Sequence, residues 1–181
     1  MNQKTGSIVA ATGHQLNRLG GNSPEVFTRL RALAEASLQK LEPATVISGM
    51  ALGWDQAIAL TAIEFSIPLI AAVPFASQDA KWHQEDRDRW EVILFQSQLT
   101  IYVDRLPDYN VTDVDVGVYH VAKLQKRNEW MVDNCSQILA LFDGSNKGGT
   151  FNCLEYAKKL NKQVLNVWNS WSKYAGVNYD Q

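Results

Sequence analysis

Two glycine-containing segments carry residue types that could bind an anion. In the first, residues 46–56 (VISGMALGWDQ), two β-branched residues precede Ser48 and Gly49, and a helix is expected to begin between Gly53 and Asp55. Glycine lacks a Cβ, so a ligand can approach its backbone closely, and the first amides of a helix are unpaired at the positive end of its dipole. The segment therefore predicts a phosphate or carboxylate cradle. An ordinary strand–helix turn in which Asp55 only caps the helix fits the same residues.

The second segment is DGSNKGGT, at residues 143–150. Gly148 and Gly149 directly precede the expected helix start at Thr150, so backbone amides could surround a phosphate there. The hydroxyl of Thr150 could add one hydrogen bond. A flexible turn with Thr150 as the helix cap is the alternative for these residues.

Three further side chains could take part in binding or catalysis. Arg127 could pair with a phosphate or carboxylate through its planar guanidinium, or it could lie on the surface of an amphipathic helix. His14 could donate to a phosphate or act as a base, because histidine titrates near neutrality, or it could be a structural residue beneath the first loop. Asp55 could accept a hydrogen bond from a ribose hydroxyl, or it could cap the helix.

Other polar and aromatic clusters have simpler interpretations. Four residues are spread round a predicted helix and do not share one face, which indicates a solvated surface rather than a metal site: His83, Glu85, Asp86 and Asp88. The loop aspartates Asp108, Asp113 and Asp115 lack the spacing of a calcium loop. Neither a metal nor a cofactor is predicted. Trp82 and Trp90 could stack on a base, but their spacing favours one buried helical face.

Composition limits the function classes. The 181 residues are 46% hydrophobic and 20% charged, as in ordinary globular proteins, and one domain accounts for this length. The net charge of −2 argues against a protein that coats nucleic acid through bulk charge. Cys135 and Cys153 have neither disulfide-framework nor zinc-site spacing. No signal peptide or membrane-length apolar run is evident, so we expect a cytoplasmic protein without a membrane partner.

Six short apolar runs alternate with helical patterns along the chain. The expected strands are residues 7–11, 45–48, 67–73, 99–103, 137–142 and 163–167. The expected helices are residues 24–41, 55–65, 82–95, 121–134 and 150–160, the first of them capped by Ser23 and opened by Pro24. This alternation predicts an α/β, Rossmann-like doubly wound, mostly parallel sheet of about six strands with helices on both faces. Both glycine segments should then meet at the carboxyl ends of the strands.

Four sequence blocks, in order, resemble a known superfamily. TGHxxxxLGG, SGMALGWDQ, RNxWMVDN and DGxxxGGTxN are similar to the YpsA-like branch of the SLOG superfamily, which also contains the LOG phosphoribohydrolases and DprA. The resemblance covers residues 7–167. It implies a Rossmann-like domain with a nucleotide-type ligand at the strand carboxyl ends, and self-association. No internal repeat or low-complexity linker divides the chain, so residues 1–181 are expected to form one domain. Its tail at 168–181 is rich in aromatic and small residues, and we expect it to pack across the domain or to make a subunit contact.

The resemblance assigns ligand contacts to the motif positions. These are Thr12, Gly13, His14, Ser48, Gly49, Met50, Ala51, Gly53, Asp55, Arg127, Asn128, Gly148, Gly149, Thr150 and Asn152. This chain departs from the pattern at two places. Gln15 stands where many members have an arginine, and Cys153 stands where the LOG enzymes have a glutamate. The nearest glutamate is Glu155.

Three functions follow as hypotheses. The first is a protein that binds a nucleotide or ADP-ribose-like molecule, as a sensor or a sequestering module. The second is a LOG-like hydrolase of nucleotide N-glycosidic bonds, with Glu155 or Asp55 activating water and His14 assisting as acid or base. The third is a DprA-like binder of single-stranded DNA. It is the weakest of the three, because the chain is acidic and shows no stripe of interleaved basic and aromatic residues. We therefore expect a small nucleotide rather than a nucleic acid as partner.

Overall fold

The computed structural model describes residues 6–175, which contain six strands, six α-helices and two short 3₁₀ helices. The strands are β1 (Ile8–Gly13), β2 (Thr45–Ser48), β3 (Leu69–Val73), β4 (Leu99–Tyr102), β5 (Gln137–Leu141) and β6 (Gln163–Asn166). The helices are α1 (Pro24–Leu41), α2 (Trp54–Glu64), α3 (Gln84–Gln96), α4 (Val121–Asp133), α5 (Gly149–Lys159) and α6 (Trp168–Ala175).

All strand pairs are parallel, and the order across the sheet is β4-β3-β2-β1-β5-β6. The chain builds outward from β1 to β4, then returns to the other side of β1 to add β5 and β6. The connections therefore reverse direction between β1 and β5, and ligands of open α/β sheets bind outside the strand carboxyl ends at such a point. This sheet confirms the predicted α/β, doubly wound fold.

The sheet is buried on both faces, as the uninterrupted apolar run of β1 predicts. Val9 packs into the core shared with α1, α2, α3 and α6, whereas Ala10 packs into the core shared with α4 and α5. Neighbouring residues of a strand point to opposite faces, so two layers of helices cover one sheet. The two layers hold the strand ends, and the loops that leave them, in fixed positions.

Helix starts follow the local sequence. Ser23 caps α1, since its Oγ accepts a hydrogen bond from Val26 N at 3.3 Å, and Pro24 occupies the first helical position. α3 begins at Gln84 rather than the expected Trp82, because residues 76–81 form turns after β3. These turns matter below because they form one wall of the candidate site.

The segment after β6 folds back onto the domain. Its α6 buries Trp171 against the α1 side of the core, and the Arg29 guanidinium lies 4.7 Å from the centre of that ring. The predicted tail extends to residue 181, and its last six residues lie outside the described range. None of the helices within residues 6–175 combines the length and apolar character that crossing a membrane requires.

Candidate functional site

A crevice of about 860 Å³ lies at the carboxyl ends of the strands. Its walls come from the loops after β1, β2, β3 and β5 and from one side of α4. The crevice therefore spans the point between β1 and β5 where the connections reverse. Its volume suits a small-molecule ligand.

The glycine corner before α5 is open. Gly148 has φ of +105°, a conformation that glycine adopts without strain. Apart from the adjacent residues and the backbone of α5 itself, no atom of the described chain lies within 4 Å of the place where a Cβ would stand on Gly148 or Gly149. Both residues line the crevice together with the buried Thr150. The first amides of α5 thus lie at the edge of open space, as an anion cradle requires.

The corner after β2 is filled, contrary to the expectation that its glycines admit a ligand. A Cβ on Gly49 would collide with the guanidinium of Arg127 and lie 2.8 Å from Asp55 Oδ2. A Cβ on Gly53 would lie 3.1 Å from the carbonyl oxygen of His14. These glycines make room for the protein's own atoms.

Residues around that corner have structural roles. The Oγ of Ser48 donates to the Asp55 carbonyl at 2.8 Å and accepts from Met50 N at 3.2 Å. Ser48, Gly49, Met50 and Gly53 are buried and do not line the crevice, whereas Ala51 and Asp55 do. Gly53, not Asp55, is the cap residue of α2.

Arg127 is a buried cation at the crevice wall, with 7% of its surface exposed. Its Nη1 donates to the Gly49 carbonyl, which also accepts from Gln78 Nε2 at 3.2 Å, and its Nε donates to Asn128 Oδ1 at 3.0 Å. Within the described residues, no carboxylate lies within 4.0 Å of the guanidinium. Burial lowers the pKa of Arg127, while the nearby Asp55 raises it.

Asp55 is the carboxyl group inside the crevice lining, and it is 5% exposed. Burial raises its pKa from 3.8 to about 6, against the opposing effects of Arg127 and a backbone hydrogen bond from Ala51. The group therefore changes charge just below neutral pH. A buried acid with a displaced pKa in a cleft is a common feature of functional sites.

His14 reaches the crevice from the loop after β1, but its Nε2 is engaged. This nitrogen lies 2.8 Å from Asp143 Oδ1, and the imidazole packs against the rings of Phe142 and Trp168. Partial burial raises the pKa of Asp143, but hydrogen bonds from Ser145 and His14 outweigh it and lower the pKa to about 2. His14 thus fastens the β1 loop to the β5 loop across the crevice floor.

The structure moves the predicted catalytic Glu155 away from the site. Glu155 and Asn152 are exposed on α5 and do not line the crevice. Cys153 is the inward-facing residue, because it lies one turn after Gly149 and Thr150 on the same helical face. Burial raises the pKa of Cys153 to about 12, despite a hydrogen bond with Thr12 and the charge of Arg127. The thiol is therefore neutral and unreactive.

The remaining predicted residues meet as expected. Thr12, Gly13, His14, Arg127 and Asn128 line the same crevice as residues 148–150. Asn128 Nδ2 also donates to the Gly149 carbonyl at 3.2 Å. Thus α4 contacts both glycine corners through two consecutive side chains.

The residues of the wall formed after β3 were not predicted as ligand contacts. Phe75, Lys81 and Trp82 line the crevice there, and Tyr119 joins them from the loop before α4. Trp82 is half-buried at this wall and not part of a wholly buried face. The available signal was positional, since these residues follow a predicted strand at the same edge of the sheet.

Basic side chains outnumber acidic ones in the crevice. The lining includes the four cations Arg18, Lys81, Arg127 and Lys147 and the carboxyl of Asp55, and Arg18 is paired with Asp143 at 3.3 Å. The whole chain carries −2, so positive charge is concentrated locally where it can attract an anion. Among residues 6–175, no three His, Cys, Asp or Glu side chains form a group that could hold a metal ion.

Comparison with known proteins identifies one relative in sequence. The chain is 38% identical over 136 residues to the uncharacterized SPbeta prophage-derived protein YoqJ of Bacillus subtilis strain 168, covering 72% of this chain and 79% of YoqJ. The sequence matches no family model.

Solved structures share the fold at low sequence identity. DNA processing protein A (DprA) from Streptococcus pneumoniae has a TM-score of 0.58 at 14% identity, over 88% of this chain and 50% of DprA. DprA from Helicobacter pylori, which binds single-stranded DNA, has a TM-score of 0.56 at 19% identity, over 90% and 65%. TM1055 has a TM-score of 0.51 at 14% identity, over 87% and 72%. This chain spans half to two thirds of the DprA chains, and the likeness shows a shared fold.

Proposed function

This chain belongs to the family of YoqJ, and we propose that it binds a nucleotide or an ADP-ribose-like molecule in the crevice at the strand carboxyl ends. One observation carries the proposal: the buried Arg127 guanidinium lines the same crevice as the open amides that begin α5. We also propose that this chain belongs to the YpsA-like branch of the SLOG superfamily.

A buried cation without a close carboxylate is costly. Removing a charge from water is unfavourable unless a counter-charge and hydrogen bonds replace the water. Carbonyl and amide oxygens satisfy part of the Arg127 guanidinium. Asp55 lies near the guanidinium without a salt bridge to it, and it offsets the charge only in part and only when it is ionised. A phosphate bound between Arg127 and residues 148–150 would supply the missing charge and accept hydrogen bonds from the helix amides.

The dimensions of the crevice favour a ligand longer than inorganic phosphate. The aromatic wall follows β3 and the amide cradle follows β5, and two strands lie between them in the sheet. Three interstrand spacings correspond to about 14 Å, which is close to the length of a nucleotide with one or two phosphates. Binding without rapid turnover is the preferred role, since neutral Cys153 occupies the inward position on α5.

The test is calorimetric titration of AMP, ADP and ADP-ribose into the wild type and Arg127→Met. We expect binding to the wild type and a loss of about tenfold or more in affinity for Arg127→Met, because a charge-assisted contact is removed. Arg105→Gln is the matched control, since Arg105 is exposed, lies over Tyr102 and does not line the crevice. Absence of binding by all three nucleotides to the wild type would refute the proposal.

A second candidate function is hydrolysis of a nucleotide N-glycosidic bond, and Asp55 favours it. A carboxyl with a pKa of about 6 can accept a proton from an attacking water near neutral pH. Release of free adenine from AMP, abolished by Asp55→Asn and unaffected by Glu155→Gln, would support this activity. AMP that stays intact through a long incubation would exclude it.

A further inference from the structure

The wall opposite the amide cradle presents an unusually exposed aromatic side chain. Tyr119 is 61% exposed yet lines the crevice, and its ring meets the buried ring of Phe75 edge to face, with centroids 5.6 Å apart. Trp82 lines the same wall and is held by an edge-to-face contact with Trp90 at 6.4 Å. Both rings therefore line the crevice while a second ring supports each of them, and a planar base can stack on an aromatic side chain in such a site.

A buried ion pair holds the backbone that carries Tyr119. The Lys123 ammonium, 1% exposed, donates to Asp104 Oδ2 at 3.0 Å and to the Asp115 carbonyl at 2.6 Å. The same Asp104 oxygen accepts from Gly117 N at 2.7 Å, and the Gly117 carbonyl accepts from Ser77 Oγ at 2.7 Å. Residues two and four positions before Tyr119 are therefore tied to α4, to the end of β4 and to the wall after β3.

Packing alone does not explain the conformation of this loop. Its apolar side chains at Val116, Val118 and Tyr119 are more than half exposed, so burial contributes little to holding it. Buried ion pairs often contribute little net stability, and in some proteins they specify one geometry. The pair Lys123–Asp104 thus fixes the position of a loop whose exposed ring faces the site.

We propose that Tyr119 recognises the base of the ligand, and that the Lys123–Asp104 pair positions it. The base stacks on Tyr119 at the wall that Tyr119 forms with the residues after β3, while the phosphate lies at residues 148–150 and Arg127. Tyr119 is then the residue that discriminates nucleotides from sugar phosphates. This inference rests on the proposed nucleotide site.

The test compares AMP with ribose 5-phosphate, which has the same phosphate and ribose but no base. In calorimetric titrations, Tyr119→Ala should weaken AMP binding by about tenfold or more and leave ribose 5-phosphate binding unchanged, because only base stacking is lost. Tyr119→Phe keeps the ring and should restore AMP binding to within about twofold of the wild type. Val118→Ala is the matched control, since it shortens a neighbouring exposed side chain that does not line the crevice.

The positioning role is tested with the double variant Lys123→Met and Asp104→Leu. It removes both charges together, so no unpaired buried charge is left to unfold the protein. We expect the preference for AMP over ribose 5-phosphate to fall as far as in Tyr119→Ala, with ribose 5-phosphate affinity intact. The ratio of AMP affinity to ribose 5-phosphate affinity would not change if the Lys123–Asp104 pair only stabilised the fold.

The outcomes separate the two proposals. If Tyr119→Ala binds AMP as the wild type does, base recognition by Tyr119 is refuted and the phosphate site stands. If the double variant keeps the AMP preference while Tyr119→Ala loses it, the positioning role alone is refuted. If the wild type binds neither ligand, the nucleotide site and the inference built on it are both refuted.

Discussion

Asp55 lies beside Arg127 and competes with any anion that enters the crevice. Its carboxyl is buried, and its pKa of about 6 means that it is charged at pH 7.5 and neutral at pH 5. A negative Asp55 partly neutralises the guanidinium and repels a phosphate. Protonation of Asp55 should therefore strengthen anion binding.

The first residue-scale prediction concerns pH. ADP-ribose is the suitable probe, because its pyrophosphate does not change charge between pH 5 and 7.5. Its dissociation constant should rise as pH increases through about 6 in the wild type, and the calorimetric profile of Asp55→Asn should be flat. Asp108→Asn, an exposed change outside the crevice, should keep the wild-type profile. A pH-independent wild type would contradict this.

The second residue-scale prediction concerns stability. The folded pKa of Asp55 exceeds 3.8, so the native state holds the proton more tightly, and stability falls as pH rises from about 4 through about 6. The rise in the pKa of Asp55 to about 6 corresponds to a loss of roughly 3 kcal/mol in the free energy of unfolding at pH 7.5. Asp55→Asn, which resembles the neutral acid, should raise the free energy of unfolding by up to that amount at pH 7.5 and by little at pH 4. Urea unfolding at the two pH values measures the difference, and an equal effect at both would contradict the assignment.

Gly49 and Gly149 show what could be predicted from the sequence at this scale. Both were expected to leave the backbone open, but only Gly149 does. Arg127 fills the space at Gly49 from 78 residues away in the chain. Residue type and local spacing predict that a glycine is needed, but not whether a ligand or a distant side chain needs it.

At the scale of elements, the start of α5 is the part of the site that a single substitution tests most directly. Gly149 has no positive φ and no neighbour within 4 Å of a built Cβ in the described chain. Alanine is therefore compatible with the helix start, where it is also favoured over glycine. A methyl group there would occupy space beside the amides that would hold a phosphate.

Gly149→Ala should therefore leave the unfolding temperature unchanged or slightly raised, and weaken ADP-ribose binding by about tenfold, because a close backbone contact is obstructed. Thermal unfolding and calorimetry give the two values. Gly148→Ala provides the contrast, since φ of +105° is strained for alanine and should cost about 1–2 kcal/mol of stability as well. Full affinity in Gly149→Ala would place the phosphate elsewhere.

Element order and bounds were the most predictable feature. Strand–helix alternation, the Ser23–Pro24 helix start and the apolar run of β1 are local signals, and the six strands and helices α1 to α5 fall within about two residues of their predicted ends. Helix α6 was not predicted. The inward face of α5 was not predictable in the same way. Cys153 faces Arg127 and Glu155 faces solvent because of how α5 packs on α4 and β1, and this follows only from the assembled fold.

At the scale of the whole molecule, the net charge of the chain does not predict the charge of the site. The chain is acidic, yet the crevice gathers basic and aromatic side chains from distant segments, including Lys81, Trp82 and Tyr119. The sequence contains no continuous basic and aromatic stripe, but the fold brings such side chains together from separate segments.

Single-stranded DNA gives the discriminating measurement at this scale. For a small-nucleotide site, we expect a 5′-phosphorylated dT oligomer to bind no more tightly than a mononucleotide at 150 mM salt, because only its terminal nucleotide would enter the crevice. Fluorescence anisotropy across a salt series measures both affinity and charge dependence. Much tighter binding, with a slope of log affinity against log salt concentration that corresponds to several phosphate contacts, would instead assign the crevice to nucleic acid. Self-association stays a prediction, which sedimentation velocity measures.

Consecutive side chains of α4 bind the carbonyls of the two glycine corners, Arg127 at Gly49 and Asn128 at Gly149. The separation of these corners is thus fixed by two adjacent residues of one helix rather than by flexible loops. A crevice whose width is fixed in this way needs little ordering when a ligand binds. Ligands one phosphate longer or shorter should accordingly be distinguished by fit, without a closing movement.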